Sequence, residues 1–146
     1  MTSLFISPES DIKIEIWIAH SDGKFLNWNS EAEMSGSEFG RSNPEQVVHV
    51  EAHFREPNFR DASEISDLAM AMKSDGGFSM SVNQVRAERF VRLIKSWNLK
   101  DAEGKAIQPN RHHISQLHPT VAQILMLDLE EKLGIVSPTD NQVSNQ

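Results

Sequence analysis

The stretch FVRLIKSWNLKDAEGK, residues 90–105, shapes the interpretation of the whole chain. Four of its apolar residues recur at i, i+3, i+4 and i+7, which is the spacing of one helical face. They are Phe90, Leu93, Ile94 and Trp97. The pattern predicts an amphipathic helix from residue 82 to about residue 97. Asn98, Gly104 and Pro109 end it, and residues 101–104 are expected to form a turn.

Two upstream segments alternate between apolar and polar residues, as half-buried strands do. Residues 12–19 place four isoleucines on one face, and residues 46–55 repeat the alternation. Asp22-Gly23 is a strong hairpin signal and predicts a return strand at residues 24–28. These segments predict a small antiparallel sheet.

Helices are predicted in the remainder of the chain. Asp61 is expected to cap one helix, with Glu64 at the capping-box position and Gly76-Gly77 at the end. A short helical turn is expected at residues 109–114. The last helix should begin at His118-Pro119 and end at Gly134. Residues 29–44 show no period and predict a long surface loop, with a partner-binding loop as the alternative.

The predicted fold class is α+β, in which the small antiparallel sheet from the N-terminal third packs against three to four helices. Residues 1–10 are expected to form an N-terminal arm, residues 11–135 a single α+β domain, and residues 136–146 a flexible C-terminal tail. The predicted core comprises Ile12, Ile14, Ile16, Ile18, Val48, Val50, Phe54, Ile65, Leu68, Phe90, Leu93, Ile94, Trp97, Ile124 and Leu125.

Composition narrows the class of protein. The 146 residues carry a formal net charge of −7, which argues against general binding to nucleic acids or anionic membranes. No cysteine is present, so disulfides and thiolate chemistry are excluded. The apolar run near residue 5 is too short for a signal peptide, and no run is long enough to span a membrane. We therefore expect a protein that is cytoplasmic at synthesis.

The chain contains no recognisable catalytic or nucleotide-binding motif. His49 and His53 share a strand face, but roughly 13 Å separates residues two pleats apart, so one metal ion cannot bind both. Adjacent His112 and His113 diverge on a helix. Arg86, Arg89, Arg92 and Lys95 are expected to form a solvated helix face. The sequence thus predicts no enzyme, no cofactor, no metal site and no catalytic residue.

Residues 93–105, LIKSWNLKDAEGK, resemble a segment that recurs in small tail-assembly proteins of tailed bacteriophages. In that family an apolar helix leads into Trp-Asn-Leu, an acidic residue and a Gly-Lys turn, followed by a Pro-containing linker and a closing helix. Pro109 and residues 114–133 match the latter two features here. Residues 54–61, FREPNFRD, are also similar to what such proteins carry. The resemblance covers roughly residues 47–135.

The resemblance implies a non-enzymatic assembly chaperone that holds a tape-measure protein or baseplate component through apolar helix faces, in the host cytoplasm. The expected partner-binding residues are Trp97, Asn98, Leu99 and, on the exposed side of the last helix, Met126, Leu129 and Leu133. Intramolecular packing is their alternative role, and self-association is a further option. The alternative function is a structural virion protein, a connector, baseplate or decoration subunit whose arms dock on neighbours. A small enzyme or ligand-binding domain and a regulatory protein are more distant alternatives.

Overall fold

A computed structural model describes residues 4–7, 9–74 and 82–135, without side chains for residues 68–74 and 82–83. Strands β1 (Ile12–Ser21), β2 (Lys24–Trp28), β3 (Val48–Phe54) and β4 (Ile94–Trp97) form one antiparallel sheet in the order β2-β1-β3-β4. Six α-helices accompany it among the described residues. The α+β fold class predicted from the sequence is therefore confirmed.

The first three strands follow the predicted alternation. β1 lies between β2 and β3, with Ile14 opposite Ala52 and Ile16 opposite Val50. Asp22 and Gly23 both have positive φ, 52° and 76°, as the two central residues of a type I′ hairpin turn require. The predicted hairpin and the third strand are thus present.

The fourth strand corrects the prediction of a helix reaching Trp97. Helix α4 (Val82–Leu93) stops three residues after Phe90, and Ile94 begins β4. Arg55 ends the helix, because its backbone N–H donates to Leu93 O and its guanidinium donates to Arg92 O. This capping group lies far away in sequence, so the local pattern could not reveal it.

A bulge explains why helical spacing occurs in a strand. β4 pairs Ile94 with Phe54 and Trp97 with Ala52, and the register shifts between His53 and Phe54. Two residues separate Ile94 from Trp97, whereas one separates Phe54 from Ala52, so β4 carries an extra residue. Ile94 and Trp97 consequently reach the same apolar layer from a strand, three positions apart.

Residues 29–46 contain helices instead of the predicted long loop. Helix α1 (Glu31–Gly36) and helix α2 (Glu38–Ser42) are followed by a 3₁₀ turn, Pro44–Gln46. Ser30 and Ser37 cap the two helices through their side chains. A Cβ atom on Gly40 would lie 1.9 Å from Met34 O, so only glycine fits at this contact.

Helix α3 (Phe59–Ser74) begins three residues before the predicted start, since its cap is Asn58 instead of Asp61. Asn58 accepts a hydrogen bond from Asp61 N–H, and the Asp61 carboxylate accepts one from Asn58 N–H. Asp61 therefore occupies the third position of a capping box instead of the cap itself. The predicted end at Gly76-Gly77 and the side chain of Leu68 lie outside the described residues, as does the predicted tail at 136–146.

The last two helices follow the prediction closely. Helix α5 (Arg111–Ser115) is the expected short turn, and helix α6 (Pro119–Leu133) has His118 at its N-cap. Gly134 ends α6 in the left-handed conformation with φ 72°.

The core lies between one face of the sheet and the helices. It consists of Ile14, Ile16, Ile18, Val50, Ala52, Phe54, Phe90, Leu93, Ile114, Leu125 and Leu129. Ile12, Ile94, Trp97 and Ile124 are half-buried against it, and Ile65 is buried. Val48 was predicted to be buried but is 54% exposed, since it is the first residue of β3 and the buried positions of that strand begin at Val50.

Candidate interaction surfaces

Three predicted partner-binding residues, Trp97, Asn98 and Leu99, make intramolecular contacts at the β4 edge of the sheet. The Trp97 indole N–H donates to Ile107 O, and Leu99 is half-buried against the core. The Asn98 side chain accepts a hydrogen bond from Glu51 N–H at 2.9 Å and donates one to His49 O at 2.9 Å. Each side chain therefore has an intramolecular role at this edge of the sheet.

The turn after Leu99 is also tightly organised. Asp101 Oδ1 accepts hydrogen bonds from Glu103 N–H and Lys105 N–H, both at 2.9 Å. Gly104 has φ 81°, and Ile107 N–H returns to Leu99 O. The Trp-Asn-Leu-x-Asp-x-x-Gly pattern that carries the family resemblance thus has a structural explanation in this chain.

The predicted partner-binding residues of α6 do not lie on an exposed side. Leu129 is 1% exposed and belongs to the core, while Met126 and Leu133 are half-buried against it. Leu127 is the exposed apolar residue of this helix. The expectation that Leu129 lies on the exposed side of the helix is wrong, because α6 directs that side chain at the sheet.

The arginines of α4 form ion pairs instead of a solvated basic face. Arg86, itself buried, donates to buried Glu130 of α6 at 2.7 Å, and Arg89 reaches the same oxygen at 3.3 Å. Arg92 pairs with Glu64 of α3. These contacts offset the positive charge of the arginines and connect α4 to α6 and to α3.

Large apolar side chains are exposed in the N-terminal arm and at the start of α3. Leu4 is 92% exposed, Phe5 is 86% exposed, and Phe59 at the start of α3 is 87% exposed. A shallow cleft lined by Ile6 and Asn58, among others, places the arm beside the residue that precedes Phe59. We call Leu4, Phe5, Ile6 and Phe59 the arm patch.

The end of the arm is fixed to the sheet. Ser10 Oγ accepts a hydrogen bond from Glu56 N–H at 3.0 Å, and Lys95 Nζ donates to Ser10 O at 3.1 Å. Asp11 contacts His53 Nδ1 at 2.9 Å and Lys95 Nζ at 3.2 Å. The residues that follow the arm, Ser10 and Asp11, are therefore anchored to the sheet.

A second cluster lies on the sheet face opposite the core. Glu15 of β1 and Glu51 of β3 are directly opposite each other, and His49 Nε2 lies 2.8 Å from Glu15 Oε2. Lys13 Nζ lies 3.0 Å from Glu15 Oε1, and His53 Nε2 lies 3.1 Å from Glu51 Oε2. We call Glu15, His49 and Glu51 the outer-face triad.

The charges around the triad shift the pKa values of neighbouring groups. Hydrogen bonds from Lys13 and then His49 lower the pKa of Glu15. Hydrogen bonds to Asp11 and then Glu51 raise the pKa of His53. A hydrogen bond from His53 in turn lowers the pKa of Asp11. Both ring nitrogens of His53 face carboxylates, an arrangement that favours the imidazolium form.

Sequence reasoning considered histidines along one strand and missed the carboxylate supplied by the neighbouring strand. Glu15 joins His49 because β1 and β3 pair in a register that residue spacing alone does not give. The arm patch could have been found from its composition, since Leu4, Phe5 and Ile6 are consecutive.

Comparison with protein-family models, curated proteins and solved structures found no match for this chain. Among the described residues, no helix is both long and apolar enough to cross a lipid bilayer.

Proposed function

We propose that this protein is a non-enzymatic assembly protein of a bacteriophage tail or baseplate, which binds another tail component through the arm patch. The resemblance of residues 47–135 to small tail-assembly proteins supports the phage context. The exposure of Leu4, Phe5 and Phe59 is the observation that carries the binding mode.

The energetics of the arm patch favour a protein partner. Burying one large apolar side chain contributes about 1.5–3 kcal/mol, and three such side chains here lie almost wholly in solvent. Clustered exposed apolar residues mark interaction sites more often than scattered ones do. A partner that covers Leu4, Phe5 and Phe59 would therefore gain substantial affinity.

The structure favours the arm patch over the apolar helix faces expected from the sequence. Leu129 is buried in the core, and Trp97 and Asn98 stabilise the sheet. Leu129 could reach a partner only if the domain opened, and using Trp97 or Asn98 would compete with their hydrogen bonds within the domain. The arm patch requires no such rearrangement.

A structural virion subunit is the second candidate. An apolar arm with an anchored base is suited to docking on a neighbouring subunit in a finished particle. The two candidates share a contact surface and differ in when the contact exists: during assembly in the host cytoplasm, or permanently in the virion.

The test is co-purification of the tagged protein from cells that express the neighbouring phage genes, followed by mass spectrometry of the bound proteins and of mature particles. The variant Phe5→Ser/Phe59→Ser is compared with Val48→Ser, which alters an exposed apolar residue outside the arm patch. We expect the double variant to lose a tape-measure or baseplate protein that the wild type and control retain.

The particles separate the two candidates. Absence of the protein from particles supports the assembly chaperone, whereas a fixed stoichiometric copy number supports the structural subunit. If the wild type recovers no tail protein and is absent from particles, the proposed function is wrong.

A further inference from the structure

We propose that the outer-face triad, Glu15, His49 and Glu51, binds a divalent transition-metal ion of the Zn²⁺ class. One imidazole nitrogen and two carboxylate oxygens are ligands that Zn²⁺ accepts, and the fourth position would hold water. The inference is independent of the proposed function, since it rests on different residues.

The triad atoms are already close together. One potential ligand atom from each of the three residues lies within 4.8 Å of the others. Ligand atoms of a tetrahedral zinc site lie roughly 3.3 Å apart, given metal–ligand distances of about 2.0–2.2 Å. Small side-chain rotations at the surface would therefore suffice, with no movement of the strands.

The backbone that carries two of the ligands is fixed by one residue. Asn98 accepts from Glu51 N–H and donates to His49 O, so both positions are held from the β4 side. The His49 ring also stacks on Trp17, with ring centroids 4.6 Å apart. A ligand whose orientation is set by its neighbours loses less freedom on binding a metal.

The two carboxylates of the triad lie opposite each other, with Lys13 beside one and His53 beside the other. Like charges directly opposite each other on neighbouring strands are destabilising, and Glu15 and Glu51 are such a pair. Lys13 and His53 each contact one oxygen of a different carboxylate, which leaves the facing side of the pair with His49. A divalent ion would replace the His49–Glu15 hydrogen bond and bridge the two carboxylates.

The imidazole distinguishes this site from a site for Mg²⁺ or Ca²⁺. Those ions prefer oxygen ligands in sets of six or more, and the triad offers only two carboxylates. Zn²⁺ binds imidazole readily, but only when the ring is in its neutral form. Binding should therefore weaken as the pH is lowered.

The experiment is isothermal titration of the tag-free full chain with ZnCl₂, repeated with MgCl₂. The variants are His49→Ala and Glu51→Gln, and the control is His112→Ala, which removes an exposed histidine of α5. We expect one Zn²⁺ per chain and at least tenfold weaker binding in both triad variants. His112→Ala should bind as the wild type does, and Mg²⁺ should give no saturable heat.

A spectroscopic measurement locates the ion. Because Trp17 stacks on His49, Co²⁺ in the triad should quench part of the tryptophan fluorescence, and Trp17→Phe should remove that part. Circular dichroism of each metal-free variant establishes that it is folded. Absence of Zn²⁺ binding by the folded wild type, or equal affinity in folded His49→Ala, would overturn the proposal.

Discussion

The two faces of the central strands differ in what their side chains contact. On the inner face, Ile14, Ile16 and Val50 are buried beneath the helices. On the outer face, the alternate residues are polar and contact one another, with Lys13 and His49 both paired with Glu15. One face is thus stabilised by burial and the other by pairwise polar contacts.

The two faces should therefore differ in how well they tolerate substitution. Burial contributes several kcal/mol per large side chain, whereas an exposed ion pair contributes little. The inner face should therefore carry the stability of the domain, and the outer face is free to carry a function.

Removing a ring from the inner face should have the largest effect. Phe54 and Phe90 are fully buried and meet edge to face, with centroids 5.0 Å apart. Phe54→Ala should lower the free energy of unfolding by about 4 kcal/mol through lost transfer energy and a cavity. Urea denaturation measures it, with Val48→Ala of the same strand as the control near zero. Equal effects of the two changes would contradict the comparison.

The buried ion pair between Arg86 and Glu130 tests whether a polar contact also contributes to the stability of the helical layer. Glu130→Gln would leave the Arg86 guanidinium buried without a counter-ion. We expect a loss of about 3 kcal/mol, measured by urea denaturation. Glu131→Gln, at the exposed neighbouring position, should change stability by less than about 0.5 kcal/mol. A Glu130→Gln variant as stable as Glu131→Gln would show that the buried pair contributes nothing.

The loss of stability on removing the Asn98 side chain should lie between that of a buried ring and that of an exposed ion pair. Asn98→Ala removes two hydrogen bonds to the β3 backbone and should lower the free energy of unfolding by about 1–2 kcal/mol, measured by thermal denaturation. Asn98→Asp keeps the acceptor for Glu51 N–H and should recover part of the loss. Asn27→Ala, an exposed asparagine of β2, is the matched control. A loss no larger than that of Asn27→Ala would show that the two Asn98 hydrogen bonds do not stabilise the sheet.

The strands were easier to predict from the sequence than the ends of the helices. The alternation at residues 12–19 and 46–55 is sufficient to predict two strands, because one face of each is buried, and Asp22-Gly23 predicts the third. Residues 94–97 were assigned to a helix because a bulge gives a strand the same apolar spacing. The Ser-x-x-Glu pattern at residues 30–33 is a readable signal for the start of α1, and Ser30 Oγ accepts a hydrogen bond from Glu33 N–H.

The candidate sites were less predictable than the fold. The outer-face triad depends on strand register, and the burial of Leu129 depends on how α6 docks. Neither follows from local periodicity. The exposure of Phe59 likewise follows from where α3 begins, which Asn58 determines.

The smallest effect should be the pH dependence of the outer face. His53 has a raised pKa, so its contribution is complete below the ordinary value of 6.5 and is lost as the pH rises through the raised value. The difference in Tm between wild type and His53→Ala should thus be larger at about pH 6 than at about pH 8.5. His112→Ala is the control. A difference that is unchanged or larger at the higher pH would contradict the assigned protonation.

The arm patch is tested most directly by site-specific photo-crosslinking in phage-infected cells. A photoreactive amino acid is placed at Phe59 in one variant and at Val48 in the other, since both positions are exposed and apolar. We predict that position 59 crosslinks to a tail component identified by mass spectrometry and that position 48 does not. Crosslinking to a tail component at position 48 but not at 59, or at neither position, would contradict the proposal.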